Sequence, residues 1–246
     1  MSHERHISTR KSKSWDDDFA EEYINLRQKE GRLYSDNEVM LLPDMATRAK
    51  SKEWKVRKNS CQRFVKYLTE KGRPLKILEV GCGNGWFANQ LAQVPGADVT
   101  GMDINLHELN QASRVFVQTE KLQFIYGDLR TEISGRFDII VFASSIQYFS
   151  SPGEIIRAAL GKLQLDGEVH LLDTHIYEPS KVQQAQSRSA AYFREIGFEK
   201  MARFYFHHSF EDLQGFRSTV LYNPQKFWNR LLKKNPFHWV CITPRE

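Results

Sequence analysis

Before residue 73 the apolar side chains recur three and four positions apart, the spacing of one helix face. Phe19, Tyr23 and Leu26 share such a face, and Trp54, Cys61, Phe64, Val65 and Leu68 form a longer stripe that ends at Gly72 and Pro74. Ser35 and Glu38, just before Val39, Leu41 and Leu42, have the spacing of a capping box. Pro43 then punctuates the chain, and Asp44 is placed to cap the longer helix. From Leu75 the texture changes. Short apolar runs at 75–80, 98–102, 122–126, 137–142 and 168–172 alternate with helical stretches at 85–94, 105–119, 153–163 and 181–196. Apolar strands separated by helices predict βαβ units and a parallel sheet covered on both faces. Two further strands are expected at 200–207 and 238–243, with an irregular excursion at 208–235 that holds a short helix near 227–232.

With 246 residues the chain suits one α/β domain carrying an extra layer. The pattern divides it into a basic tail at 1–13, a helical region at 14–72 and an α/β domain at 73–246. The tail lacks apolar periodicity, so it is expected to be mobile. It also lacks the apolar centre of a secretory signal, and no run of eighteen apolar residues is present to span a bilayer. Cys61, Cys82 and Cys241 lack metal-ligand spacing and fit a reducing, cytoplasmic setting.

Charge is unevenly spread within the net +5. Residues 48–76 carry eleven Lys/Arg against Glu53 and Glu70 only, and the tail carries Arg5, Arg10, Lys11 and Lys13 against Glu4. Without a recognition motif this reads as a solvated helix face, and nucleic acid is not an expected partner.

Ligands of an open parallel sheet bind beyond the carboxyl ends of its strands. There the first strand delivers Glu79, then glycines at the alternate positions 81, 83 and 85, and then a helix. A dinucleotide turn spaces its glycines differently. A carboxylate at Glu79 would also repel a pyrophosphate, whereas it attracts the ammonium and sulfonium of S-adenosylmethionine (SAM). The second strand ends at Asp103, placed to accept from both hydroxyls of a ribose, and the third at Asp128, placed to accept from an adenine amino group while Leu129 covers the ring.

The segments 77–88, 101–103, 124–129 and 137–149 resemble the first four motifs of class I SAM-dependent methyltransferases, and 165–169 and 192–198 resemble later turns of the small-molecule members. The resemblance covers roughly residues 73–207. It implies a Rossmann-like three-layer sandwich with a seven-stranded, mostly parallel sheet whose last strand is antiparallel, under an N-terminal helical lid. It also implies SAM as cofactor, with S-adenosylhomocysteine (SAH) as product. Carried over by position, Glu79, Gly81 and Gly83 meet the methionine part, Asp103 and Ile104 the ribose, and Asp128 and Leu129 the adenine. Cys82, a small filler inside the glycine turn, and Ala143, at the end of the fourth strand, complete the expected cofactor contacts.

The acceptor is expected to be a small molecule methylated on oxygen or nitrogen. Trp15, Tyr23, Tyr34 and Trp54 are available as its apolar wall, although helical spacing equally suits a core. Candidates for catalysis follow strands four and five: Ser144, Ser145, Gln147 and Tyr148, then Asp173, Thr174, His175 and Tyr177. His175 is the best base by type, and if the strand runs that far Asp173 shares its side. The alternative is a histidine simply hydrogen-bonded at a strand end, and His207 and His208 are equally available. The turn at 143–148 lacks the Asn/Asp-Pro-Pro-Tyr motif of nucleic-acid amino methylation, and no Pro-Cys pair supplies the thiol for cytosine carbon methylation. With no carboxylate beside Ser144 and Ser145, Asp173 alone does not build a hard-cation site, so no metal is expected. Two rivals remain on sequence: an RNA methyltransferase using the basic run, and a non-catalytic SAM-fold binding protein.

Overall fold

The structure is a computed structural model and describes residues 15–44, 51–131, 133–232 and 235–245; the tail at 1–13 lies outside them, as does the side chain of Trp15. Helices come first: α1 (Trp15–Lys29), α2 (Asp36–Met40) and α3 (Ser51–Glu70). Strands and helices then alternate as β1 (Leu75–Val80), α4 (Trp86–Leu91), β2 (Ala97–Asp103), α5 (Leu106–Val115), β3 (Leu122–Tyr126), β4 (Phe137–Ala143), α6 (Pro152–Leu160), β5 (Leu163–Leu172) and α7 (Val182–Glu195). The chain finishes with β6 (Arg217–Tyr222), α8 (Phe227–Leu232) and β7 (Trp239–Thr243).

The strands form one seven-stranded sheet in the order β3-β2-β1-β4-β5-β7-β6. β1 pairs parallel with β2 and β4, and β7 runs antiparallel to both β5 and β6. This is the sheet the resemblance implies. Strand periodicity divides the core into two halves. Ile77, Ile139 and Val141 pack on one face with Phe64 and Leu68 of α3 and Phe87 and Leu91 of α4. Leu78, Ile140 and Phe142 pack on the other with Ile155 and Ile156 of α6. Both faces of the central strands are covered, which is why their sequences read as unbroken apolar runs.

The region before the sheet does two jobs. The capping box forms as predicted, with Glu38 N–H donating to the Ser35 hydroxyl and Ser35 N–H to the Glu38 carboxylate. α3 is a layer of the sandwich, its Phe64 ring 6.0 Å from Phe87 and 5.7 Å from Trp239. α1 sits at the carboxyl edge instead, where Phe19 and Leu26 join Phe193, Met201 and Phe204 in a small separate core. Asp44 meets Lys58 rather than opening α3, which begins at Ser51.

One strand differs from expectation. Residues 200–207 are not in the sheet: a short 3-10 turn covers Glu199–Arg203, and Phe206 N–H donates to the Gln147 carbonyl. Met201 and Phe204 are three apart and both buried, a turn spacing that the aromatic run Phe204, Tyr205 and Phe206 disguised as a strand. The sixth strand lies in the expected irregular excursion. It is an edge strand with every side chain exposed except Tyr222, so it carries no apolar signature. No described helix is long and apolar enough to cross a membrane.

Candidate functional site

The carboxyl ends of β1, β2, β3 and β4 open into a cavity of about 390 Å³. Its floor is the turn after β1. Gly81 has φ +75°, and a Cβ there would lie 2.5 Å from the Ser145 side chain, so no other residue fits. Gly81 and Cys82 donate their N–H groups to the Met102 carbonyl, which ties the turn to β2. Asp103 completes the tie: one carboxylate oxygen accepts from Gly83 N–H and the other from Asn105 N–H, both at 2.7 Å. Asn105 in turn caps α5 by accepting from His107 and Glu108 N–H. Two adjacent loops are thereby fixed around one acid, with lone pairs left on each oxygen for a diol.

Gly81, Gly83, Asp103, Ile104, Asp128 and Leu129 all line this cavity. Asp128 is already engaged there. Arg130 grips its carboxylate with Nε at 2.8 Å and a second nitrogen beside it, so the acid faces the cavity as part of an ion pair. Burial would raise its pKa, but the Arg130 hydrogen bonds and charge bring it below the ordinary value.

A smaller recess of about 70 Å³ adjoins the cavity and is lined by Glu79, Cys82 and Ala143. Glu79 is 2% exposed, and its Oε2 has no hydrogen-bond partner. Burial, then the nearby Asp103 charge, push its carboxyl well above the ordinary range against one backbone hydrogen bond from Ala88. An acid held so far from water is stable as an anion only beside a cation. Cys82 is buried and its thiol is pushed up by the same burial, which leaves it a filler rather than a nucleophile.

Sequence reasoning missed the charged roof of this recess. Arg27 donates to the Tyr23 hydroxyl at 2.8 Å, and both sit against Glu108. Burial drives Glu108 up to about 7 despite the pull of Arg27. The spacing of Tyr23 and Arg27 is legible as one helix turn, but nothing local says that α1 brings them to Glu108 of α5.

A third chamber, about 580 Å³, lies beyond the ends of β4 and β5 and is lined by Gln147, Asp173, Thr174, His175, Arg57 and Tyr205, among others. Ser144 borders all three spaces. Ser144 and Asp173 have φ of +57° and +52°, the left-handed region that non-glycine residues rarely adopt. They follow paired strand ends, with Ser144 N–H donating to the Leu172 carbonyl at 2.9 Å. Because β5 ends at Leu172 and Asp173 is left-handed, strand alternation does not carry Asp173 and His175 to one side. Asp173 is buried against Ser60 and Asn235, whereas His175 is exposed with its ring 4.6 Å from Phe237. Gln147 is spent as a brace: its Oε1 accepts from the Thr174 hydroxyl at 2.8 Å and its Nε2 donates to the Ser144 carbonyl at 2.7 Å. Of the other histidines, His207 meets Ser189 and His208 the Ile146 carbonyl, and neither lines the chamber.

A sequence family described as a methyltransferase domain matches residues 54–217. The chain belongs to that methyltransferase family. Among its relatives, a malonyl-[acyl-carrier protein] O-methyltransferase of Halalkalibacterium halodurans is 28% identical over 123 residues, covering 46% of this chain and 45% of that protein. A ubiquinone biosynthesis O-methyltransferase of Bordetella avium is 29% identical over 102 residues, covering 38% and 40%. The chain thus spans less than half the length of these curated relatives. The fold is shared more widely. The magnesium protoporphyrin IX methyltransferase of Synechocystis, with bound SAH, aligns at a TM-score of 0.58 and 15% identity over 89% of this chain and 95% of that one. The plantazolicin methyltransferase aligns at 0.56 and 16% identity, covering 92% and 99%. The family match begins at Trp54, so α3 belongs to the shared domain while α1 and α2 precede it.

One donor cluster elsewhere resembles a metal site. Glu168, His170 and Cys241 bring ligand atoms within 4.8 Å of one another. Two of the three are already engaged: Glu168 pairs with Lys71 and the His170 Nε2, and His170 Nδ1 accepts from the Trp239 indole at 3.1 Å. The group is a buried polar relay.

Proposed function

We propose that this chain transfers a methyl group from SAM to an oxygen or nitrogen of a small-molecule acceptor, releasing SAH. The observation that carries the proposal is the unpartnered oxygen of buried Glu79, facing a recess beside the nucleoside-sized cavity. The methionyl ammonium is the cation that this carboxylate lacks. Asp103 is set to take the ribose diol, and Ile104 and Leu129 offer apolar cover at the same cavity. Arg27 and Arg57 line the recess and suit the methionyl carboxylate. When bound, SAM supplies a methyl group already activated on a sulfonium. What remains for the protein is alignment and, for a hydroxyl acceptor, removal of a proton.

The acceptor reads as occupying the third chamber, where Ser144 marks the border with the cofactor. His175 is the base candidate on its wall. The two O-methyltransferase relatives favour oxygen as the atom methylated. The RNA alternative is weakened because part of the basic run is paired: Arg57 with Glu53, Lys58 with Asp44, Lys66 with Glu70, Lys71 with Glu168 and Arg73 with Asp138.

Calorimetric titration with SAM and SAH, followed by a screen of small acids, phenols and amines with methyl-labelled SAM, tests the proposal. Binding of both cofactors and label on a small molecule are expected. Absence of SAM binding would remove the cofactor assignment, and binding without transfer to any acceptor class would leave a SAM-binding protein.

A further inference from the structure

α8 turns its apolar side outward. Phe227 is 67% exposed, Trp228 69% and Leu231 63%, and the first two rings lie 5.2 Å apart. The polar side of the segment is hydrogen-bonded to the turn that precedes it. Asn229 donates to the Asn223 carbonyl at 2.7 Å, and the Asn223 side chain accepts from Gln225 N–H at 2.8 Å, so Asn229 ties the helix to the turn before it. Scattered apolar residues on a surface are ordinary, but two adjacent aromatic rings and a leucine on one helical face are a patch.

Charge says what covers it. From Asn223 to Asn235 the chain carries Lys226, Arg230, Lys233 and Lys234 and not one Asp or Glu. Lys226, one residue before the helix, and Arg230, on it, are exposed. A second copy of the chain is a poor occupant. The three side chains offer on the order of 400 Å² together, from roughly 150–250 Å² for each aromatic ring, against about 800 Å² per partner in a stable interface. Two copies would also bring their cations face to face. A bilayer with anionic headgroups meets both halves of the surface: rings and leucine sink to the acyl boundary while Lys and Arg stay among the phosphates.

We infer that the α8 face docks the protein on the surface of an anionic membrane, peripherally and reversibly. The experiment is co-sedimentation of the full chain with vesicles of phosphatidylcholine alone or mixed with phosphatidylglycerol. Sedimentation with the mixed vesicles only, reversed by high salt, is expected. F227S/W228S/L231S should abolish it. K226Q/R230Q should weaken it about 25-fold, at roughly fivefold per cation removed. Both variants should bind SAM as the parent does, which shows that they are folded. Three results would each overturn the inference. The parent chain could stay in the supernatant with mixed vesicles, or the triple variant could sediment like the parent. Light scattering could instead reveal a lipid-free dimer that the triple variant loses, in which case a second copy covers the face.

Discussion

Asp103 and Glu79 are both acids at strand ends, yet the structure gives them different duties. Asp103 accepts two backbone N–H groups, one on each oxygen, and so organises the loop beside the proposed ribose position. Asparagine is therefore no conservative replacement, since its amide nitrogen would face an N–H. Asp103→Asn should weaken SAM by about 1.5–3 kcal/mol, the scale of a charged hydrogen-bonding group lost, with the melting transition retained. Unchanged affinity by calorimetry would sink the assignment. Glu79 instead waits for a cation. Burial raises its free-state pKa, while an ammonium beside it favours the ionised form, so binding SAM should expel a proton. Affinity should then fall as the pH drops through the raised pKa, and the binding heat should vary with the ionisation heat of the buffer. Glu79→Gln should remove Glu79's share of that proton release and weaken SAM as well.

At the scale of elements, α3 is the instructive case. Its stripe was legible in sequence, and Phe64 is fully buried between α4 and β7. Phe64→Ala should cost about 3–5 kcal/mol by chemical denaturation, the range for emptying a large core site; a loss below about 1 kcal/mol would place α3 outside the cooperative core. Beneath α3 lies the polar relay. Burial would raise Glu168, but its bonds to His170 and Lys71 win and lower it from 4.5 to about 2. A depressed carboxyl contributes stability that is present above its unfolded value and lost as pH falls through the folded one. The melting temperatures of the parent and Glu168→Gln should therefore differ most above pH 4.5 and converge towards pH 2. The parallel strands and the acids closing them could be read directly, because burial on both faces and a turn at each carboxyl end leave strong local marks. The 200–207 segment and β6 could not. One borrows the aromatic content of a strand for a turn packed on α1, and the other is held in the sheet by β7 alone, with no buried face to write a pattern. The Arg27, Tyr23 and Glu108 group was hidden for a related reason, since residues far apart in sequence create it.

In the whole molecule three spaces converge on the ends of β4 and β5. The space proposed for the cofactor is built from β1 to β4, and the space proposed for the acceptor from β5, α3 and the segment around Phe237. His175 stands on the proposed acceptor side; although its side chain reaches solvent, partial desolvation of the ring, then the charges of His238 and Arg188, hold its imidazole below the ordinary 6.5. It is thus neutral at physiological pH and ready to accept a proton. If it serves a hydroxyl acceptor, His175→Ala should cut turnover by roughly 10²–10⁴-fold while SAM affinity stays nearly intact. The acid limb of the parent's pH–rate profile should then fall below pH 6.5. A loss under about tenfold with the true acceptor would leave a site that works by alignment alone.

The left-handed backbone at Ser144 has a consequence for the protein's evolution. Holding a non-glycine residue there costs roughly 1–2 kcal/mol, and glycine would relieve most of it. Ser144 nevertheless lies where the proposed cofactor and acceptor spaces meet, with its hydroxyl 3.4 Å from an Arg57 nitrogen. Selection for heat resistance alone would drift towards glycine at this position, whereas selection for turnover would restore serine. A laboratory lineage passed alternately through the two pressures should record the conflict as repeated reversal at codon 144.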